Sequence, residues 1–503
     1  MTILSGVSRR GLLRAATVSG LTLPLTRVAP ATVHRPHARA QAGPVTALRM
    51  TTTPDLSTKV MARSALPAFT AITAGSSDVV VNPAKTHQPF MGVGAALTGS
   101  AAYVLTNYLG DTDRAALLAE LYSPDQCNWR MLRVCMGSAD FRAQPVGYTY
   151  DDMPAGQADP TLAHFSVSPD TAYITPLIQQ ILAINPAVSI LATPWTPPAW
   201  MLASGTFEAN QCKLRDSWMA AYAQYFVKFL QAYQALGIPI WAVTAQNEPV
   251  AGTFMNLTKW QEETFTGSHL GPALKAAGFG HVQILALDDS WTKYTYARGV
   301  LADTRAAPYT AGVAWHGYRG KPQEMTAVRS AHPQAAQHLT EFRSLTSQSL
   351  AFQMASVAGG YTAQGVANWA QSVMLWNIAL DQDGQPNQQK PGRIGVVTVK
   401  NGTGAVTRSA GYYALTHLSA FAQPGARRCA ASTFGAAYVA PNTLPSAVTT
   451  TALANPDGSA VLYAYNGHTS SMTLHVIDAR TGRGTKVTMV PGELSTFTWP
   501  AGQ

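Results

Sequence analysis

Ile240-Trp241-Ala242-Val243-Thr244-Ala245-Gln246-Asn247-Glu248-Pro249 sets a largely apolar run of strand length against an abrupt polar tip. A strand covered on both faces reads as a continuous apolar run rather than as an alternation. The switch to Gln-Asn-Glu-Pro therefore puts an amide and a carboxylate where the strand ends. The pattern recurs at Phe90 to Leu97, Met131 to Met136, Val188 to Pro194, Val282 to Leu287, Gly312 to Trp315, Gln337 to Leu339 and Val373 to Trp376, eight runs with the first. Stretches with helical spacing lie between them: Asp113 to Leu121, Thr171 to Ile184, and Ser217 to Leu236 with Trp218, Tyr222, Tyr225, Phe229 and Tyr233 near one face. Those aromatics read as core rather than as a ligand box. Eight such units predict an α/β fold, a (β/α)8 TIM barrel over 89–408, with the chemistry at the C-terminal ends of the strands. The runs end in Thr98, Ser138-Ala139-Asp140, Trp195, Asn247-Glu248, Asp288-Asp289, His316-Gly317-Tyr318, Glu341 and Trp376-Asn377, a ring of polar and aromatic groups around one mouth.

Outside the barrel the chain changes character. Residues 1–40 hold Ser8-Arg9-Arg10-Gly11-Leu12-Leu13-Arg14, a mildly apolar run from Ala15 to Leu25, and Ala38-Arg39-Ala40. This predicts a twin-arginine export signal with a small-residue cleavage box, and a periplasmic or secreted product. Residues 41–88 read as linker with one or two strands. From Ser409 to 503 the helical period fades, and alternating segments such as Val461 to Tyr465, Met472 to Ile477 and Lys486 to Met489 predict an attached C-terminal all-β domain, separated by turn signals such as Asn455-Pro456-Asp457-Gly458.

Bulk properties narrow the function. Of 503 residues 47% are hydrophobic and 12% charged, enough for a large core, and no apolar run past the leader is long enough to span a bilayer. The formal charge is +9, but six arginines of the leader (Arg9, Arg10, Arg14, Arg27, Arg35 and Arg39) supply most of it, so no nucleic-acid partner is expected. Cys127, Cys135, Cys212 and Cys429 form no CxxC pair; disulfides and buried free thiols both remain open. There is no HExxH motif, no clustered His/Cys set and no nucleotide loop, since Gly92-Val93-Gly94 lacks the rest of a dinucleotide fingerprint. No metal or cofactor is expected.

Glu248 and Glu341, at the ends of the fourth and seventh runs, would face each other across the pocket, which is what glycosidic cleavage requires. Carboxyls about 5–5.5 Å apart give retention of configuration and about 6.5–9.5 Å inversion. Sequence spacing does not measure that separation.

Several ordered motifs resemble glycoside hydrolase family 30, which contains the glucosylceramidases and β-1,6-glucanases. They are Gln246-Asn247-Glu248-Pro249; Thr193-Pro194-Trp195-Thr196-Pro197-Pro198-Ala199-Trp200-Met201; Leu132-Arg133-Val134 with Ser138-Ala139-Asp140-Phe141; Tyr148-Thr149-Tyr150-Asp151-Asp152; Trp376-Asn377-Ile378-Ala379-Leu380 with Gly384-Gln385-Pro386-Asn387; and Tyr412-Tyr413-Ala414-Leu415. The resemblance spans about 80–500. It implies a barrel joined to a β-sandwich that takes a strand or two from before residue 90, and a retaining double displacement with Glu248 as acid/base and Glu341 as nucleophile. The two carboxyls would then rest in opposite protonation states, with ionised Glu341 raising the pKa of Glu248. Arg133 and Tyr318 would donate to Glu341, although Arg133 also suits a structural ion pair. Asn247 would bind the sugar 2-hydroxyl, and Trp195 and Trp376 would wall the sugar. His316 joins these substrate-binding candidates, either lining the site or standing behind it.

One position departs from the family pattern. Where an aspartate usually follows Thr in the first-strand motif, this chain has Gly99 in Thr98-Gly99-Ser100. Loss of that carboxylate loosens glucose specificity. A β-linked glucoside or glycolipid, as for a glucosylceramidase, stands first as substrate, with β-1,6-glucan or another β-glycan second. An inactive carbohydrate-binding protein is the reading from another class, and retention of both glutamates with Arg133, Asn247 and Tyr318 weighs against it.

Overall fold

The computed structural model describes residues 47–207, 212–250, 254–388, 391–432, 438, 440 and 443–502. The export signal expected over 1–40 lies outside them.

Eight parallel strands close a barrel in sequence order: β1 (Gly92–Leu97), β2 (Met131–Met136), β3 (Ser189–Pro194), β4 (Ala242–Thr244), β5 (Gln283–Ser290), β6 (Thr310–His316), β7 (Ala336–Glu341) and β8 (Ser372–Leu375). Each coincides with one of the eight apolar runs. β4 is shorter than its run, whereas β5, β6 and β7 continue through polar residues to Ser290, His316 and Glu341, because hydrogen-bonded pairing persists past the last apolar side chain. Closure is tight where β1 meets β2: a Cβ at Gly94 would lie 1.8 Å from the Met131 carbonyl oxygen, so only glycine fits.

Strand alternation divides the barrel into layers. On β2, Leu132, Val134 and Met136 join the large core between strands and helices, while Met131 joins Leu191, Ala242, Leu285, Ala314 and Met374 in an apolar plug inside the barrel. Above the plug the layer turns polar, with Arg133, Thr193, Thr244 and Thr340 all buried. Above that, Cys135, Phe141, Trp195 and Trp376 pack together at the mouth. The order from apolar floor to polar shelf to aromatic rim fixes where charge can reside.

The helices expected at 113–121, 171–184 and 217–236 appear as Asp111–Tyr122, Ile174–Ile184 and Met219–Ala235, the last two each led in by a short 3-10 turn. The expectation that helical periodicity ends at 409 is corrected by a helix over Ala410–Ser419. All ten of its residues are buried, and it packs on β1 on one side and on Leu494–Trp499 of the β-domain on the other. A helix covered all round has no polar face, so the 3.6-residue period that would reveal it is missing. The C-terminal part of the β-domain therefore begins at Arg427–Ala431.

Ten strands make up one largely antiparallel sheet, four of them from before the barrel: Leu48–Thr52, Ala62–Ala65, Thr70–Ala71 and Val79–Pro89. Val79–Pro89 sits mid-sheet, antiparallel to Arg427–Ala431 and parallel to Met472–Asp478. Residues of both halves, including Val448, Leu462 and Phe497 against Leu474, Val476 and Val487, share one core, so the sheet folds onto itself as a sandwich. All four cysteines are buried, and among the described residues no helix is long and apolar enough to cross a membrane.

Candidate active site

The C-terminal mouth of the barrel opens into a cavity of about 380 Å³. Glu248 and Glu341 both line it, with Asn247, Trp195, Trp376 and Tyr318. Six of the eight residues singled out from sequence thus meet at one surface. Glu248, Glu341 and His316 each bring one side-chain N or O atom to within 4.8 Å of the others, so the two carboxylates approach closely.

Each carboxylate is held differently. Glu341 accepts from Arg133 Nη1 at 2.5 Å and from the Tyr318 hydroxyl at 2.9 Å. Arg133 Nη2 also donates to Asn247 Oδ1 and to Asp288 Oδ2, both at 2.8 Å. Glu248 sits at φ +45°, its N–H donating to the Asp288 carbonyl at 2.9 Å, and its Oε1 lies 3.0 Å from His316 Nδ1. The other imidazole nitrogen, Nε2, lies 3.2 Å from Asp288 Oδ1.

Arg133 and His316 are wholly buried and do not line the cavity. Neither touches the cavity as a sugar contact would: Arg133 takes its expected place as donor to Glu341, and His316 stands behind the site, one of the two places open to it. They act on the carboxylates instead. Trp195 and Trp376 do form a wall, stacked at 5.2 Å and 25°, with the Arg133 guanidinium 5.1 and 5.4 Å from their ring centroids. Gln246 donates to the Trp195 carbonyl at 2.6 Å and fixes that loop.

Asp288 is the group that sequence reasoning left without a role. It is fully buried, with the Thr193 and Thr244 hydroxyls 3.1 Å from Oδ2 and the Thr340 hydroxyl donating to Oδ1 at 2.6 Å. The signal was present as one hydroxyl per strand at a common height on β3, β4 and β7. Burial opposes its ionisation, but Arg133, His316 and Thr340 hold its carboxyl well below the usual range. Asp288 thereby anchors both Arg133 and His316.

Electrostatics correct a second expectation. Burial disfavours a charged imidazole, yet the charge of Glu341 and hydrogen bonds to Asp288 and Glu248 raise His316 to about 10. This cation then acts back on Glu248: burial pushes the carboxyl up, but the hydrogen bond and charge of His316, with Arg343 and Arg133, bring it below its ordinary value. Glu248 does not rest protonated on account of Glu341, because the imidazolium outweighs the like charge. Asp140, also on the cavity wall, goes the other way: burial and the charges of Glu341 and Glu248 raise it to about 7. Arg343, its guanidinium 4.8 Å from the Tyr318 ring centroid, completes this wall.

Glu248, His316 and Glu341 are also close enough to gather on a cation. Both His316 nitrogens already face carboxylates, however, and a protonated imidazole is no ligand. Gly99 does not line the cavity; it opens the helix Gly99–Asn107 beside Phe141 and Arg142.

Comparison with known proteins agrees with this geometry. The profile of the glycosyl hydrolase family 30 TIM-barrel domain matches residues 90–422. An endo-1,6-beta-D-glucanase of Neurospora crassa is 32% identical over 356 residues, covering 68% of this chain and 72% of that protein. The lysosomal acid glucosylceramidase of Mus musculus is 30% identical over 447 residues, 84% of this chain and 83% of its own. Among solved structures, the endo-beta1,6-glucanase BT3312 superposes with a TM-score of 0.79 at 29% identity, covering 90% of this chain and 99% of that one. SrfJ of Salmonella typhimurium, at 23% identity, shares the fold with a TM-score of 0.82 and the same coverage.

Proposed function

The chain belongs to glycosyl hydrolase family 30 and is a glycosidase, and from that premise we propose that it hydrolyses β-1,6-linked glucan with retention of configuration. The observation that carries the mechanism is the approach of the two carboxylates to within 4.8 Å, atom to atom, which falls short of the about 6.5–9.5 Å used by inverting pairs and suits direct attack. In the first step Glu341 attacks the anomeric carbon, while protonated Glu248 gives its proton to the departing oxygen as the C–O bond breaks. In the second, water attacks the same carbon, Glu248 takes its proton, and the bond to Glu341 breaks.

The surrounding residues fit these roles. Arg133 and Tyr318 fix the Glu341 oxygens, so one orientation faces the sugar. Asn247 Oδ1 is occupied by Arg133, which leaves its amide hydrogens for a sugar 2-hydroxyl. The Trp195–Trp376 wall offers an apolar face to pyranose C–H groups. Because Glu248 lies low, the donor is protonated in acid, and an acidic working range follows.

β-1,6-glucan takes precedence over glucosylceramide, reversing the order drawn from the motifs, because the endo-glucanases recur among the relatives and in the superposed structure. Glucosylceramide hydrolysis is the second reading, favoured by the longer alignment with the mouse enzyme. A twin-arginine leader would put the enzyme where extracellular polymer is found. The test is hydrolysis of β-1,6-glucan, a 4-nitrophenyl β-D-glucoside and glucosylceramide by wild type and by Glu341→Ala. Glucan hydrolysis that vanishes in the variant is the expected result. Action on glucosylceramide without glucan selects the second reading, and activity unchanged in Glu341→Ala overturns both.

A further inference from the structure

Glu262 lies on the outside of the barrel, on the helix Lys259–Thr264, and takes no part in the cavity wall. It is 1% exposed and makes no ion pair among the described residues; its neighbour Lys259 pairs with Glu263 instead. A buried carboxyl with no cation is costly unless it is put to use. Its Oε1 accepts the Leu287 N–H at 2.9 Å.

Leu287 is where β5 breaks register with β6. The pairing shifts between Leu287 and Asp289, and Leu287 and Asp288 adopt φ of +75° and +60° in succession. Neither is glycine, and left-handed backbone is unfavourable for L-residues because Cβ crowds the following carbonyl. Such a bulge lasts only where its surroundings hold it. What it achieves is specific: the Asp288 side chain meets Arg133 and His316 beneath both catalytic candidates, and its carbonyl receives the Glu248 N–H. Burial pushes the Glu262 carboxyl up to about 7, so near neutrality the acceptor is kept without a full buried charge.

We propose that Glu262 is a positioning residue, which from outside the barrel pins the Leu287–Asp288 bulge and through it sets the placement of Glu248. This rests on the reading of Glu248 as proton donor. The helix Lys259–Thr264 thus reaches the site through the Glu262–Leu287 hydrogen bond and one peptide.

The experiment compares phenyl and 2,4-dinitrophenyl β-glycosides of the sugar the wild type accepts, since only the poorer leaving group needs acid assistance. Glu248→Gln provides the reference: a loss on the phenyl substrate about 100-fold greater than on the dinitrophenyl one is expected of a general acid. Glu262→Met, which keeps the volume but removes the acceptor, should lose about tenfold in kcat/KM on the phenyl substrate and less than about threefold on the other, since kcat/KM reports the acid-assisted first step. Glu262→Gln retains an acceptor oxygen and should stay within about twofold of wild type. Equal losses of kcat/KM on both substrates, or an unchanged kcat/KM on the phenyl substrate in Glu262→Met, would overturn the proposal even if the melting temperature falls. Should Glu262→Met fail to fold, Glu262→Asp, which draws the acceptor back by one methylene, carries the same comparison. If Glu248→Gln itself shows no dependence on the leaving group, the proton-donor reading fails, and this proposal with it.

Discussion

Replacing Arg133 by lysine separates charge from geometry at the centre of the site. The guanidinium is fully buried and divides its work, Nη1 to Glu341 and Nη2 to Asn247 and Asp288. An ammonium conserves the charge but is a single point, and it does not span both carboxylates as a planar fork does. One charge-assisted hydrogen bond is lost at the least, worth about 1.5–3 kcal/mol. If that loss falls on the Glu341 side, where orientation matters to attack, kcat/KM drops by about 10- to 150-fold at 1.36 kcal/mol per decade. The retained charge keeps Asp288 and Glu341 from being left unpaired, a situation that would cost about 3–5 kcal/mol and threaten folding. The assay is kcat/KM on the best substrate, with circular dichroism to establish the folded fraction. A variant that is fully folded and within about threefold of wild type would show that the fork is not what orients Glu341, and the reasoning would fail.

His316→Asn removes the hydrogen-bonded cation beside Glu248, leaving burial against the weaker pull of Arg343 and Arg133. The proton-donor limb of kcat/KM, which in wild type falls as pH rises through the lowered Glu248 value, should move to higher pH; a limb that stays or moves down refutes the assignment. Trp376→Ala deletes half of the stacked wall and should raise KM about 10- to 100-fold while kcat changes less, read from initial rates on glucan; an unchanged KM would remove Trp376 from the sugar site. Gly99→Asp is sterically open, since a Cβ there meets Arg142 and the Phe141 carbonyl only at ordinary contact distances of 3.6 Å. It should lower KM for an aryl β-glucoside by several-fold, on the order of one added hydrogen bond. No change would mean that a carboxylate at this position does not reach the sugar.

Legibility in the sequence followed burial. Strands of a closed barrel are covered on both sides, so Met131 to Met136 or Val188 to Pro194 announce themselves as unbroken apolar runs, and the residues just past them mark the mouth. Glu248, Glu341, Asn247, Trp195, Trp376 and Tyr318 were legible for that reason. Height within the barrel was not, which is why Arg133 stayed open between donor to Glu341 and structural ion pair, and His316 between lining the site and standing behind it. Asp288-Asp289 was legible as a strand end, but the left-handed bulge that brings Asp288 against Arg133 and His316 has no glycine to signal it. The helix Ala410–Ser419 was hidden by complete burial, and Glu262 by its distance in sequence from the strand it holds.

The close pair of carboxylates is tested most directly by the configuration of the first product formed. Proton NMR recorded during the early minutes of glucan hydrolysis, before mutarotation, reports the anomeric state of the new reducing end. Retention through a Glu341-linked intermediate predicts that the β-anomer appears first and the α-anomer only as it equilibrates. Initial formation of the α-anomer would contradict the double displacement, and with it the roles assigned to Glu248 and Glu341.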